Sequence, residues 1–221
     1  MSNIRRFGRF CLRDGTVGYA RIEREKLYFL ATAPWIGEQE TGLVALQDEA
    51  KRLCPVEPRK IMCIGRNYRA HALEMGVQLP QTPLLFLKPP SSLLAPEGTV
   101  LLPPESQRVE HEAELGVVIG KGGRRIELET AIDHVFAYTA VGDITARDLQ
   151  RSDGQWSRAK GFDTFCPVGP TLVTGLDPSN LQVVGRVNGE ERQNGNTSDM
   201  LFDVAKLVSH LSQAMTLEPG D

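Results

Sequence analysis

The sequence is poor in features that mark several whole classes of protein. No GxGxxG occurs, so a dinucleotide-binding fold is disfavoured. The longest unbroken apolar run, Leu27 to Ala31, is five residues, against about 20 for a membrane-spanning helix. Met1 to Phe10 carry Arg5, Arg6 and Arg9 with no apolar stretch behind them, so no secretory signal is expected. Neither charge sign dominates: 25 Lys and Arg stand against 28 Asp and Glu, net −3. That balance offers no basic surface for nucleic acid or an anionic membrane. The four cysteines, at 11, 54, 63 and 166, have neither zinc-knuckle nor CxxC spacing. Cys63, inside Ile61-Met62-Cys63-Ile64, reads as a buried free thiol, and the reading is a reduced, cytoplasmic protein. With 41% hydrophobic and 24% charged residues, the 221-residue chain has the composition of a folded globule.

The chain divides near residue 55. Phe7 to Leu12, Val17 to Ile22 and Leu27 to Leu30 read as strands, the first two joined at Arg13-Asp14-Gly15-Thr16. Leu43 to Leu53 suits a short helix or an extended tether, and Pro55 and Pro58 then interrupt regular structure. A small β-rich module at 1–55 and a main domain at 59–221 follow. In the main domain, strands are expected at 60–64, 84–87, 110–120, 135–143, 170–174 and 181–187. Helical stretches are expected at 67–75, 127–134 and 145–150. Asn188-Gly189 signals a hairpin turn. Met200, Val204, Leu207, Val208 and Leu211 repeat at helical spacing, predicting a helix over 198–215. This mixture is α+β and β-rich, without regular βαβ alternation.

Chemistry concentrates in a few segments. In His111-Glu112-Ala113-Glu114-Leu115-Gly116-Val117-Val118-Ile119, alternation puts Glu112 and Glu114 on one face of a strand that runs into the core. Paired carboxylates repel unless a cation lies between them, and an all-oxygen set suits Mg²⁺ or Mn²⁺. A solvent-facing acidic edge is the plainer reading. Asp143, at the end of an apolar strand, supplies a third carboxylate or else a helix N-cap. His71 and Glu74 share a helix face, as a general base and its orienting acid or as a surface ion pair. Lys160, among Trp156, Phe162 and Phe165, is placed to stabilise an enolate or to snorkel along aromatic surface.

These segments together resemble the fumarylacetoacetate hydrolase family. The matching stretches are GRNYRAHALEMG (65–76), LFLKPPSSL (85–93), VEHEAELGVVIGK (109–121), GDITARDLQ (142–150) and AKGFDTFCPVGP (159–170). The tail from Val187 to Asp221 resembles the family as well. The resemblance implies a mixed β-sandwich roll, with the N-terminal module as the small extra domain of bacterial members. It implies Mg²⁺ or Mn²⁺ on Glu112, Glu114 and Asp143, a water-activating His71–Glu74 dyad, and charge stabilisation by Lys160. It further implies that Lys88, Arg147 and Gln150 hold the oxo-acid end of a small-molecule substrate, in a homodimer. The activity implied is hydrolysis of a C–C bond in a 2,4-dioxo acid, an acylpyruvate or fumarylpyruvate, giving pyruvate and a carboxylic acid. An isomerase of the 2-hydroxyhepta-2,4-diene-1,7-dioate type, or an oxaloacetate decarboxylase or tautomerase, is the alternative. Family members continue past the LEPGD segment into a strand and a Thr-Gly-Thr-Pro loop. This chain stops at Asp221, so it reads as a fragment of such an enzyme, with an inactive binding protein as a further alternative.

Overall fold

The structure, a computed structural model, describes residues 4–69 and 78–221. Its strands in chain order are β1 (Arg5–Leu12), β2 (Val17–Glu23), β3 (Lys26–Leu30), β4 (Glu40–Leu46), β5 (Ala50–Leu53), β6 (Ile61–Gly65), β7 (Leu84–Lys88) and β8 (Leu93–Leu94). Then follow β9 (Val109–Glu110), β10 (Ala113–Ile119), β11 (Val135–Gly142), β12 (Thr145–Ala146), β13 (Cys166–Thr174), β14 (Gln182–Val187) and β15 (Glu190–Asn196). The helices are α1 (Arg147–Ser152), α2 (Ser157–Gly161) and α3 (Val204–Ala214).

One large sheet runs in the order β10-β11-β13-β1-β2-β3-β4, with β5 on β1 and β8 on β13. All its pairings are antiparallel except β8 with β13, so the sheet is mixed. The N-terminal strands enter this same sheet: β1 pairs with β13, Arg5 opposite Thr174 and Phe7 opposite Leu172. Phe7, fully buried, shares a core with Val118, Ala137, Val168 and Leu172, side chains from the other end of the chain. A second core lies where α3 packs its Val204, Val208 and Leu211 against Ile119, Ile126, Tyr138 and Leu217. Two ribbons, β6 with β7 and β14 with β15, stand off the main sheet.

Local chemistry explains most of the elements. Asp14 accepts from the Thr16 N–H at 2.8 Å, and Gly15 takes φ +88°, closing the β1–β2 hairpin. Asn188 and Gly189 both have positive φ, +53° and +81°, as a two-residue turn matching the strand twist requires. The stretch 43–53 is not a helix. It is extended in β4 and β5, broken by one 3-10 turn at Gln47–Glu49, because β3 and β1 offer open edges that pair with it. The C-terminal helix begins at Val204, not 198, because the Asp203 side chain accepts from the Lys206 N–H at 2.8 Å and caps it there. Met200 consequently sits outside the helix, bridged to Tyr68. The segment 128–134 is a 3-10 helix, and the expected 110–120 strand is interrupted at His111 and Glu112. The helix expected over 67–75 falls largely outside the described residues.

At the free edge of β10, Ile119 N–H donates to the Asp221 carbonyl at 2.9 Å, and Gly220 N–H donates to the Ile119 carbonyl at 2.8 Å. Asp221 also accepts from the backbone N–H groups of Arg59 and Lys60, each at 3.2 Å, tying the start of β6 to β10.

Candidate active site

A cleft of about 1100 Å³ opens between β6–β7, β10 and the α1–α2 region. The strand register brings the acids to it. In the β10–β11 pair Ala113 faces Gly142 and Glu114 faces Val141, so Glu112 falls opposite Asp143. The Asp143 N–H donates to the Glu112 carbonyl at 2.9 Å, fixing that juxtaposition. Gln193 of β15 clamps the residue between the two glutamates: Ala113 N–H donates to its side-chain oxygen at 2.8 Å, and its amide donates back to the Ala113 carbonyl. The β9–β12 pair sets Thr145 opposite Glu110 and aims Arg147, the first residue of α1, at the same place.

Lys160 is the hub. Its ammonium donates to Glu112 Oε2 at 2.9 Å, to Thr145 Oγ1 at 2.8 Å and to Asp143 Oδ2. Lys88, at the end of β7 and almost wholly buried, donates to Asp143 Oδ1 at 2.6 Å. Arg147 donates to Glu110 Oε2 at 2.8 Å, to Gln150 Oε1 at 3.0 Å and to Glu112 Oε1. The floor of the cleft is thus a charge network in which six of the sequence-predicted residues, Lys88, Glu112, Asp143, Arg147, Gln150 and Lys160, touch one another. The aromatic surroundings expected for Lys160 are present, supplied by Phe86 (5.0 Å from the ammonium to the ring centre) and Trp156 (5.9 Å). Phe162 and Phe165 pack instead on one another and into a small core behind the site.

Glu114 is different. It lines the same cleft, yet no donor among the described residues hydrogen-bonds to it. Burial pushes its carboxyl up to about 8, and the charges of Glu112 and Asp143 add to the rise. Burial opposes the charge of Glu112 too, but Lys160 and Arg147 outweigh it and hold that carboxyl down at about 2. Burial holds two of the cysteines as thiols, pushing Cys166 up to about 12 and Cys63 higher still.

The family resemblance calls for a divalent cation, and the donor set suits one. Glu112, Glu114 and Asp143 offer oxygen alone, and Glu114 is a half-buried carboxylate that takes no hydrogen bond from any of the described residues. As the side chains stand, Lys160 occupies the space between Glu112 and Asp143. Among the described residues no three His, Cys, Asp or Glu side chains form a ready-made metal group. Loading a cation would require the Lys160 ammonium to give up the space between those two carboxylates.

His71 and Glu74 lie outside the described residues. Three participants were not singled out in the sequence. Thr145 sits within the GDITARDLQ stretch, Glu110 continues the alternation of Glu112 and Glu114, and Gln193 acts from a distant ribbon. The first two carried a local signal; Gln193 had none.

Residues 60–221 match the model of the fumarylacetoacetate hydrolase C-terminal domain. The chain is 46% identical over 181 residues to the human mitochondrial oxaloacetate tautomerase FAHD2A, covering 79% of this chain and 58% of that protein. Its fold superposes with TM-score 0.90 on a 2-hydroxyhepta-2,4-diene-1,7-dioate isomerase from Mycobacterium marinum, at 38% identity over 98% of this chain and 84% of that one. A fumarylpyruvate hydrolase from Pseudomonas aeruginosa, solved with Mn²⁺ and pyruvate, gives TM-score 0.68 at 37% identity, covering 77% of each chain. Sequence match, β-rich architecture and superposition agree, and the chain belongs to the fumarylacetoacetate hydrolase family, a family of enzymes.

Proposed function

We propose that the protein uses a divalent cation to cleave the C–C bond of a 2,4-dioxo acid, releasing pyruvate and a carboxylic acid. The observation that carries this reading is the Lys160 ammonium, buried at the floor of the cleft between Glu112, Asp143 and Thr145, with Glu114, which takes no hydrogen bond from any of the described residues, in the same cleft. A Mg²⁺ or Mn²⁺ held by Glu112, Glu114 and Asp143 would supply Lewis-acid stabilisation of negative charge on the oxo-acid oxygens. Lys160 adds a hydrogen-bonding cation at the same point, in a site walled by Phe86 and Trp156 where such a donor acts strongly. Lys88 and Arg147 hold Asp143 and Glu112 in place, and Gln150 and Arg147 face the cleft to receive the substrate carboxylate. His71, assisted by Glu74, takes a proton from water for attack on the distal carbonyl. That the hydrolase from Pseudomonas aeruginosa was solved with Mn²⁺ and pyruvate supports this assignment.

A second reading keeps the enolate and drops the water: isomerisation or tautomerisation of an unsaturated or 2-oxo diacid. The fuller superposition on the isomerase than on the hydrolase favours it. The test is a product analysis with acetylpyruvate, fumarylpyruvate, oxaloacetate and a 2-hydroxymuconate-type diacid, each with Mg²⁺, with Mn²⁺ and with EDTA. Cation-dependent pyruvate release from the acylpyruvates supports hydrolysis. Double-bond or keto–enol shifts without cleavage support the second reading. Turnover unaffected by EDTA overturns both. The homodimer belongs to the same proposal and is checked by sedimentation.

A further inference from the structure

The residue between the two glutamates of the cleft is held by a side chain at the place where a further strand could sit. The Asp143 N–H donates to the Glu112 carbonyl at 2.9 Å, so the Glu112 carbonyl is turned toward β11. Backbone groups alternate in direction along an antiparallel ladder, so the N–H and carbonyl of Ala113 turn the other way. That side is the outer edge of the main sheet: β10 ends the strand order, and no strand of the described residues pairs there. The Gln193 amide takes the place of one. Its oxygen accepts from the Ala113 N–H at 2.8 Å and its NH₂ donates to the Ala113 carbonyl, the pair of bonds that one residue of a neighbouring strand would make. Gly185, buried and paired with Gln193 in the β14–β15 ribbon, lets the ribbon come this close. A Cβ on Gly185 would lie 3.2 Å from the Gln193 Cβ and 3.3 Å from the Ala113 Cβ, tighter than ordinary van der Waals contact.

We infer that Gln193 is a positioning residue for the cation: it fixes the backbone between Glu112 and Glu114, and so raises the affinity of the carboxylate site for a divalent ion. The inference rests on the cation reading of Glu112, Glu114 and Asp143 and adds the residue that sets two of them relative to each other. The side chains themselves do not do this. Glu112 is drawn to Lys160 and Arg147, whereas Glu114 takes no hydrogen bond from any of the described residues. Only the backbone through Ala113 relates the two, and a rotation there swings one carboxylate away from the other. An ion bound by both must remove that freedom, and a clamp already made in the metal-free protein removes it beforehand. Groups that orient the ligands of a metal contribute about 10- to 100-fold in affinity. The coupling is reciprocal: whatever factor the clamp adds to cation affinity, a bound cation adds to the clamp.

Cation binding and amide exchange test this without turnover. Mn²⁺ binding is followed from the electron paramagnetic resonance signal of the free ion in the wild type and in Gln193→Met, which keeps the length of the side chain and has no amide to donate or accept. The expected result is a dissociation constant raised about tenfold or more. Gly185→Val, which keeps Gln193 and pushes the ribbon off Ala113, should raise it as well. Gln182→Ala removes the bond from Gln182 to Asn194 within the ribbon (3.0 Å), leaves the clamp intact, and should not change it. In the wild type, saturating Mg²⁺ should slow hydrogen exchange of the Ala113 amide by a factor comparable to the affinity lost in Gln193→Met, an effect that needs no variant and that a merely structural bond would not show. Equal Mn²⁺ affinity in the wild type and Gln193→Met, or Ala113 exchange indifferent to Mg²⁺, overturns the positioning role and leaves the cation site standing. A wild type that binds no Mn²⁺ removes the cation reading together with it.

Discussion

At the scale of single residues, the floor of the cleft balances charges that could not be buried separately. Lys160 serves two carboxylates and a hydroxyl at once. Lys160→Met leaves Glu112 and Asp143 facing each other without it, which should lower the stability of the metal-free protein by about 3–5 kcal/mol. Loss of a charge-stabilising donor should also reduce kcat by about 100-fold or more. Added Mg²⁺ should restore the melting temperature and not the turnover, which calorimetry and steady-state assays would register. Glu114 supplies a pH signature. Its folded pKa is raised from 4.5 to about 8, so the metal-free folded protein keeps a proton that the unfolded chain releases. Stability therefore falls as pH rises from about 4.5 to about 8 and levels off above that. Glu114→Gln should remove the loss, melting later than the wild type at pH 8.5 by an amount equivalent to about 2–4 kcal/mol, with no gain at pH 4.5. Glu112 works with the opposite sign. Its pKa is depressed to about 2, so the stability it contributes is present above about pH 4.5 and is lost as pH falls toward 2.

At the scale of elements, short-range signals decide where things start and stop. The α3 helix depends on Asp203, whose carboxylate satisfies the Lys206 N–H. Asp203→Ala should cost about 1 kcal/mol, and Asp203→Ser should recover most of it, read from thermal melts. The apolar periodicity from Met200 onward was legible, but the cap at 203 overrode its first turn, because a capped N-terminus outweighs one further hydrophobic repeat. Both hairpin turns, at Gly15 and at Asn188-Gly189, were legible because they need positive φ and those residues tolerate it. The strands β4 and β5 were not legible as strands. Leu43 to Leu53 has no strict alternation, and its extended form comes from the open edges of β3 and β1, which lie elsewhere in the chain.

At the scale of the whole molecule, the strands before residue 55 are hydrogen-bonded into the sheet that carries the cleft. Phe7 fills the shared core beside Val118, Ala137 and Leu172. Phe7→Ala should cost about 3–5 kcal/mol. Far-ultraviolet and tryptophan signals should still melt together, since one core serves both parts. Two separated transitions would show that the first 55 residues unfold on their own. Among the described residues no helix is long and apolar enough to cross a membrane, in keeping with the short apolar runs of the sequence.

The sequence by itself determined the family, the β-rich character and the turns, because motif order, alternation and positive-φ residues are local properties written in consecutive letters. It also marked Glu112, Glu114, Asp143 and Lys160 as unusual, since charges inside apolar stretches need a partner. Only the tertiary structure decided what those partners are. The β10–β11 register sets Glu112 against Asp143, the packing of α2 drives Lys160 between them, and Gln193 arrives from a separate ribbon. It likewise decided that Arg147 pairs with Glu110 and Glu112, because neutralisation depends on distance in space and the sequence records only distance along the chain.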